Sequence, residues 1–285
     1  MAMKASMHSG RQGSARHNDR SFLDGKTPTE QAEIAPHIDL DMTDQNQVHQ
    51  VREASGPTLE EAELGLYKRL FQKAVEATNS RYRAQGHPER CKTVEDVYRG
   101  RQTRPEETIY QIGNAERAAS PEDLHKCYKD FKKRMLKWNR EHGCPLAILN
   151  YSMHVDETTP HIHERRVWSY TDKDGNRRIG QNRALEAAGI PLPYPDKPVG
   201  RFNNRKMTFD KLARQMWIDT CREHGFEIDS VPDRGVRHRD KQAYMAGKIA
   251  DLQNKLNKYE TLERKHPEDF KRLRQLDRRN TRFER

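Results

Sequence analysis

Three imidazoles and two carboxylates fall within ten residues of this chain: His154-Val155-Asp156-Glu157-Thr158-Thr159-Pro160-His161-Ile162-His163. His161 and His163 are two positions apart, so in a strand both rings leave the same face. His154 ends the preceding apolar run, Cys144 to Met153, across a short turn containing Pro160. Three neutral imidazole nitrogens on such a scaffold can converge on one divalent cation and leave positions open for water or substrate. Thr158, Thr159 and Pro160 disfavour a helix, which separates the pattern from the helical HExxH arrangement of metalloproteases. Structural zinc usually takes four protein ligands and often cysteine; none of Cys91, Cys127, Cys144 and Cys221 lies beside the cluster, and no CxxC pair is present. A catalytic divalent ion is therefore expected; ligand type alone does not choose it, and Mn²⁺ or Mg²⁺ is taken first, with Zn²⁺, Ni²⁺ and Co²⁺ also acceptable to imidazole.

The pattern His-x-Asp-Glu-x-x-Pro-His-x-His after an apolar strand resembles the metal motif of plasmid mobilisation relaxases and plasmid recombination enzymes of the Mob/Pre (MobV) family, within the HUH endonuclease superfamily. Arg16-His17-Asn18-Asp19-Arg20 is similar to that family's His-Asn-Glu-Arg segment, with Asp19 where Glu is usual. Phe226 to Lys241 resembles the close of the family's catalytic domain. The resemblance covers roughly residues 8–245. It implies an HUH-like fold and site- and strand-specific nicking and religation of DNA by transesterification. It also implies that His17 is the nucleophile, forming a covalent 5′-phosphoramidate and releasing a 3′-hydroxyl; no tyrosine precedes Tyr67. On this reading His154, His161 and His163 hold the metal, Arg20 holds a phosphate, and Glu157 accepts a proton from His17, orients it or faces the metal. Asp156 is expected to support a metal ligand.

The elements that must position these residues are partly legible. Thr58-Leu59-Glu60-Glu61 is a capping-box pattern opening a helix to about Gln85, with Leu59, Leu66, Leu70 and Val75 as its buried stripe. Ser120 and Pro121 open a second helix, ended by Gly143, whose Leu124, Tyr128, Phe131, Met135 and Trp138 share one face and read as core. A third spans about Thr208 to His224. Strands are expected at Ile34 to Met42, Thr108 to Ile112, Cys144 to Met153, His161 to Tyr170 and Phe226 to Val231. Asp172 to Asn176 is a turn that makes a hairpin with Arg177 to Ile179, and a proline-rich loop runs from Ile190 to Arg205. Residues 1–57 otherwise read as irregular. The fold class expected is α+β, with a central antiparallel sheet carrying the metal site, helices covering its other face, and a charged helical extension. The domain boundaries expected are 1–245 for the nuclease and 246–285 for the extension.

Charge supports a nucleic-acid partner. The 285 residues carry a net charge of +10 and only 33% are hydrophobic; the pI is near 9.4 and the mean hydropathy −1.15. Arg165, Arg166, Arg177 and Arg178 lie on or beside the hairpin leaving the metal cluster, with Trp168 and Tyr170 between them, and are expected to bind DNA. The last 22 residues hold nine Lys/Arg against four Asp/Glu. Leu252, Leu256, Tyr259 and Leu262 are spaced as in a coiled coil but fill fewer than two heptads, so a solvated helix and a dimerising or DNA-contacting arm are both open. No apolar run or leader pattern appears, so a cytoplasmic protein without membrane insertion is expected. Expected partners are single-stranded or supercoiled plasmid DNA at an origin of transfer, a conjugative coupling protein and a second copy of the chain. The alternatives are a rolling-circle replication initiator or transposase of the same superfamily, a three-histidine metal hydrolase acting on another substrate, and a DNA-binding protein with a structural metal. No GxxxxGK[ST] motif is present, so unwinding would come from a partner.

Overall fold

Caps fix the helices before packing selects their faces. The computed structural model describes residues 2–50, 56–229, 253, 256, 258–261, 263–269 and 271. The helices are α1 (Ala15–Asn18), α2 (Pro28–Ile34), α3 (Leu59–Ala84), α4 (Val94–Arg99), α5 (Pro121–Glu141), α6 (Gln181–Ala187) and α7 (Arg205–Glu223). Thr58 and Glu61 cap α3 reciprocally as expected, and Ser120 accepts from the Asp123 amide at the start of α5. The expected stripe of α5 is buried in full. On α3 the buried stripe is Leu59, Leu66, Tyr67 and Phe71, whereas Leu70 and Val75 are only half-covered.

Six strands form one antiparallel sheet: β1 (Ala5–Gly10), β2 (Gln47–Gln50), β3 (Glu106–Ile112), β4 (Leu146–His154), β5 (His161–Thr171) and β6 (Arg177–Ile179). Five run in the order β1-β3-β5-β4-β2, and β6 pairs with the far end of β5. The α+β class is as expected, and the histidine-bearing β4 and β5 lie inside the sheet. The sequence of β1 and β2 is too polar to show the alternation that identifies a strand. Ile34 to Met42 is not one: Thr27 and Glu30 form a capping box that makes Ile34 the end of α2, and Leu40–Gln45 is a 3-10 turn started by the Asp39 carboxylate. Its apolar residues Ala35 and Ile38 instead close a small cluster with Leu23. Among the described residues of Phe226 to Val231, Ile228 alone makes a bridge, parallel to Met3.

Helices pack on both faces, not on one. Along β5, Ile162, Glu164, Arg166 and Trp168 face a large core with α5, α6 and α7, in which Trp168 meets Phe209 edge-on at 4.7 Å. His161, His163, Arg165 and Val167 face the other way, towards α3, where Val167 packs with Leu66, Tyr67 and Phe71. His161 and His163 therefore share a face with α3.

The chain divides into two compact units, Met1–Ser230 and Val231–Arg285. The sequence-based boundary at 245/246 lies outside the described residues, as do Leu252, Leu262 and most of Phe226 to Lys241. In the second unit the described residues 258–261 and 263–265 are helical. Among the described residues no helix is long and apolar enough to cross a membrane.

Candidate metal and nucleophile centre

His154 and His161 are direct cross-strand partners, and His163 sits opposite Ser152. The three rings converge, with centroid separations of 5.3 Å for His154–His161, 4.6 Å for His154–His163 and 4.8 Å for His161–His163. Each ring is held from one side. His154 Nε2 donates to the Asn18 carbonyl at 3.0 Å and His161 Nδ1 donates to the Thr159 carbonyl at 2.8 Å; these acceptors fix the tautomers. His163 Nδ1 lies 3.0 Å from Glu107 Oε1, off the line of a hydrogen bond. His154 Nδ1 and His163 Nε2 are buried without a hydrogen-bond partner. Leaving such lone pairs dry and unpaired is costly. The donor set fits a divalent cation: buried imidazoles braced by outer acceptors, with a carboxylate nearby. His154, Glu157 and His161 offer ligand atoms all within 4.8 Å, as do His17, His154 and His163.

Burial lowers the pKa of His154, and burial with its histidine neighbours lowers His161 to about 4, so both rings keep a free lone pair near neutral pH. Burial opposes ionisation of Glu157, but the Arg20 guanidinium, which donates to it, and the close approach of His154, His17 and His161 outweigh burial and hold the carboxyl far below the usual range.

α1 brings His17 to this cluster from 137 residues away. Its Nε2 is 3.4 Å from Glu157 Oε1, and its ring centroid is 5.5 Å from that of His154 and 5.6 Å from that of His163. The His17 side chain is 31% exposed, while His154 is fully covered, so an incoming group meets His17 first. Arg20 adopts the left-handed backbone region, φ 60°, which costs a non-glycine residue roughly 1–2 kcal/mol. A bidentate pair with Asp156, at 2.9 and 2.6 Å, holds its guanidinium. The same guanidinium donates to Glu157 Oε1 at 3.0 Å and lies 3.1 Å from His17 Nε2. Asp156 also accepts from Asn46 at 2.6 Å. The carboxylate thus braces Arg20 and not, as the sequence suggested, a metal ligand.

The sequence assigned no role to several members of the site. Asn18 accepts from His154 through its carbonyl and donates through Nδ2 to Glu107 Oε2 at 2.8 Å, tying His154 and Glu107 to the His17 segment. Glu107 is held near pKa 2: burial opposes this, and the contacts with His163, Arg165 and Asn18 override it. A Cβ at residue 13 would overlap the Glu107 carboxylate, which only Gly13 admits. Asp19, where the resembling family has Glu, accepts from the Leu59 amide at the start of α3 at 2.6 Å and from the Ser21 amide at 3.0 Å. The signal for Glu107 was available: Glu106-Glu107 opens an apolar strand, and buried acids need cations or donors.

The four arginines expected to bind DNA are placed differently. Arg165 is buried and pairs with Glu63 through Nε at 2.5 Å and Nη2 at 3.0 Å. Arg166 is wholly buried, with Glu106, Glu164 and the hydroxyls of Ser9 and Thr108 around it. Neither can reach a phosphate. Buried carboxylates on neighbouring elements claim both guanidiniums, and burial of an unpaired acid would cost far more than a surface cation contributes. Trp168 likewise packs inward. Arg177 and Arg178 pair opposite Thr171 and Tyr170, seven to eight residues up β5 from His163, which is roughly 23–27 Å. Arg178 is held by Asp172 and by Thr78 Oγ1, so these two flank a different part of the molecule from the metal cluster.

No protein-family model matches the chain, and no curated protein matches it. Among solved structures it is similar to the MobM relaxase domain (MOBV; Mob_Pre) bound to plasmid pMV158 oriT DNA of 22 nucleotides and to Mn. That similarity has 14% identity, a TM-score of 0.44, and covers 87% of this chain and all of that one. The same domain with a 3′-thiophosphate DNA matches at 15% identity and TM-score 0.43, over 87% of this chain and 99% of that one. With a 23-nucleotide DNA the values are 13% and 0.44, over 87% and 99%.

Proposed function

We propose that the chain is a relaxase: a metal-dependent enzyme that nicks and rejoins one DNA strand at a defined site through a covalent adduct on His17, in plasmid or integrative-element mobilisation. The observation that carries this reading is the meeting of two distant segments, His17–Arg20 and His154–His163, around Glu157, with the part-exposed imidazole of His17 beside a set of buried, braced ones. His154, His161 and His163 would hold a divalent ion, Mn²⁺ or Mg²⁺ by preference, which would supply Lewis-acid stabilisation of the phosphate oxygens.

The chain's own residues do the rest. A lone pair of neutral His17 attacks phosphorus, the N–P bond forms, and the P–O3′ bond breaks with its electron pair on the leaving oxygen, which takes a proton to become the 3′-hydroxyl. The proton on the other ring nitrogen stays, so the adduct ring is cationic. Glu157, 3.4 Å away and held ionised, is placed to stabilise that charge and to orient the ring, as the carboxylate of a Ser-His-Asp triad does. Its depressed pKa makes it a weak base, so orientation is its role here. Arg20 presents a guanidinium beside His17 with its geometry fixed by Asp156. The adduct conserves the energy of the broken linkage, which allows religation.

The test is a denaturing gel of end-labelled single-stranded oligonucleotides tiled across candidate origins, with Mn²⁺ or Mg²⁺. A sequence-dependent nick with label retained on the protein is expected, and His17→Ala should lose both while still binding Mn²⁺. An adduct that persists in His17→Ala would overturn the nucleophile; turnover of a small substrate without an adduct would favour a hydrolase.

A further inference from the structure

The loop between α6 and α7 exposes apolar side chains that the fold could have covered. Tyr194 is 54% exposed, Val199 62% and Phe202 75%, all within nine residues. Single exposed apolar residues are ordinary, but a cluster on a rigid segment marks a binding surface. This one is rigid by construction. The buried Asn203 accepts from the Tyr194 amide at 3.0 Å and donates to the carbonyls of Tyr194, Lys197 and Pro198 at 2.9, 2.9 and 3.1 Å. Gly200 and Asn203 also exchange backbone bonds, and four prolines at 191, 193, 195 and 198 restrict the chain further.

Both exposed rings carry a cation. Lys197 Nζ sits 4.7 Å from the Tyr194 ring centroid and Arg201 Cζ 5.3 Å from that of Phe202. Aromatic faces for bases beside cations for phosphates are the chemistry of single-strand recognition, and the pre-ordered loop avoids the entropy cost of arranging them on binding. A protein partner would be served by the apolar groups alone; the paired cations favour a polyanion.

We infer that the 194–203 loop is a stacking platform on which bases of a single DNA strand lie against Tyr194 and Phe202. The inference rests on the proposed action on a DNA single strand and adds a contact region outside the His17 centre. The full-length chain, without added divalent ion, is titrated into a labelled thymidine homo-oligonucleotide and followed by anisotropy. Phe202→Ala and Tyr194→Ala should each weaken binding roughly tenfold. Phe202→Leu, which keeps bulk but not the ring, should fail similarly. Phe202→Trp should bind as the parent does and lose indole emission on adding the oligonucleotide but not a duplex; Trp138, Trp168 and Trp217 are buried, so the change reports on residue 202. Parent-like binding by Phe202→Ala with no quenching in Phe202→Trp would refute the platform and leave the relaxase reading standing, as would full rescue by Phe202→Leu, which would mark a generic apolar contact. Failure of the parent chain to bind the oligonucleotide at all would sink both.

Discussion

Replacing Arg165 by alanine separates two opposed accounts of this residue. The guanidinium is buried, makes two hydrogen bonds to Glu63, and lies 3.6 Å from Glu107 Oε2. Arg165→Ala leaves Glu63, itself fully covered, with Tyr98 Oη and Asn150 Nδ2, both at 2.8 Å, as its remaining donors among the described residues. Removing one partner of a buried ion pair costs about 3–5 kcal/mol, and the two surviving donors place this case near 3. At about 2–4 °C per kcal/mol for a unit of this size, the melting temperature should fall by roughly 6–12 °C in differential scanning calorimetry. Replacing both partners, as Arg165→Met with Glu63→Gln, removes the stranded charge and should recover most of the loss. An unchanged melting temperature for Arg165→Ala, together with weaker DNA binding and a salt dependence reduced by about one phosphate contact, would refute the buried-pair account and restore Arg165 to the DNA surface.

Other consequences follow from the bracing of the site. Glu107→Gln should weaken Mn²⁺ binding, measured by isothermal titration calorimetry, about 10- to 100-fold with little change in fold, because it removes the charge beside His163. Asp19→Ala should lower stability by about 1–2 kcal/mol in urea unfolding, since it takes an anion from the N-terminus of α3, and should slow nicking by loosening the His17 turn. For His161, whose pKa falls from 6.5 to about 4 on folding, the unfolded chain binds the extra proton between those values. Stability without metal is therefore full above about pH 6.5 and is lost as pH falls towards 4, by roughly 3 kcal/mol from this group; the slope should diminish in His161→Gln.

The sequence by itself determined that His161 and His163 share a strand face, because a period of two puts them there whatever surrounds them. It also determined α3, α5 and α7, whose caps and apolar stripes are local properties. It pointed to His17 only through a short resemblance, since nothing in the spacing of His17 and His154 implies contact. Tertiary structure decided that contact, by setting α1 against the ends of β4 and β5 so that the Asn18 carbonyl meets His154. It also decided the fate of Arg165 and Arg166. Alternation shows which side of a strand a residue takes but not whether a helix with a buried glutamate covers that side, and it was Glu63 of α3 and Glu106 of β3, distant in the chain, that turned two expected DNA contacts into internal ion pairs.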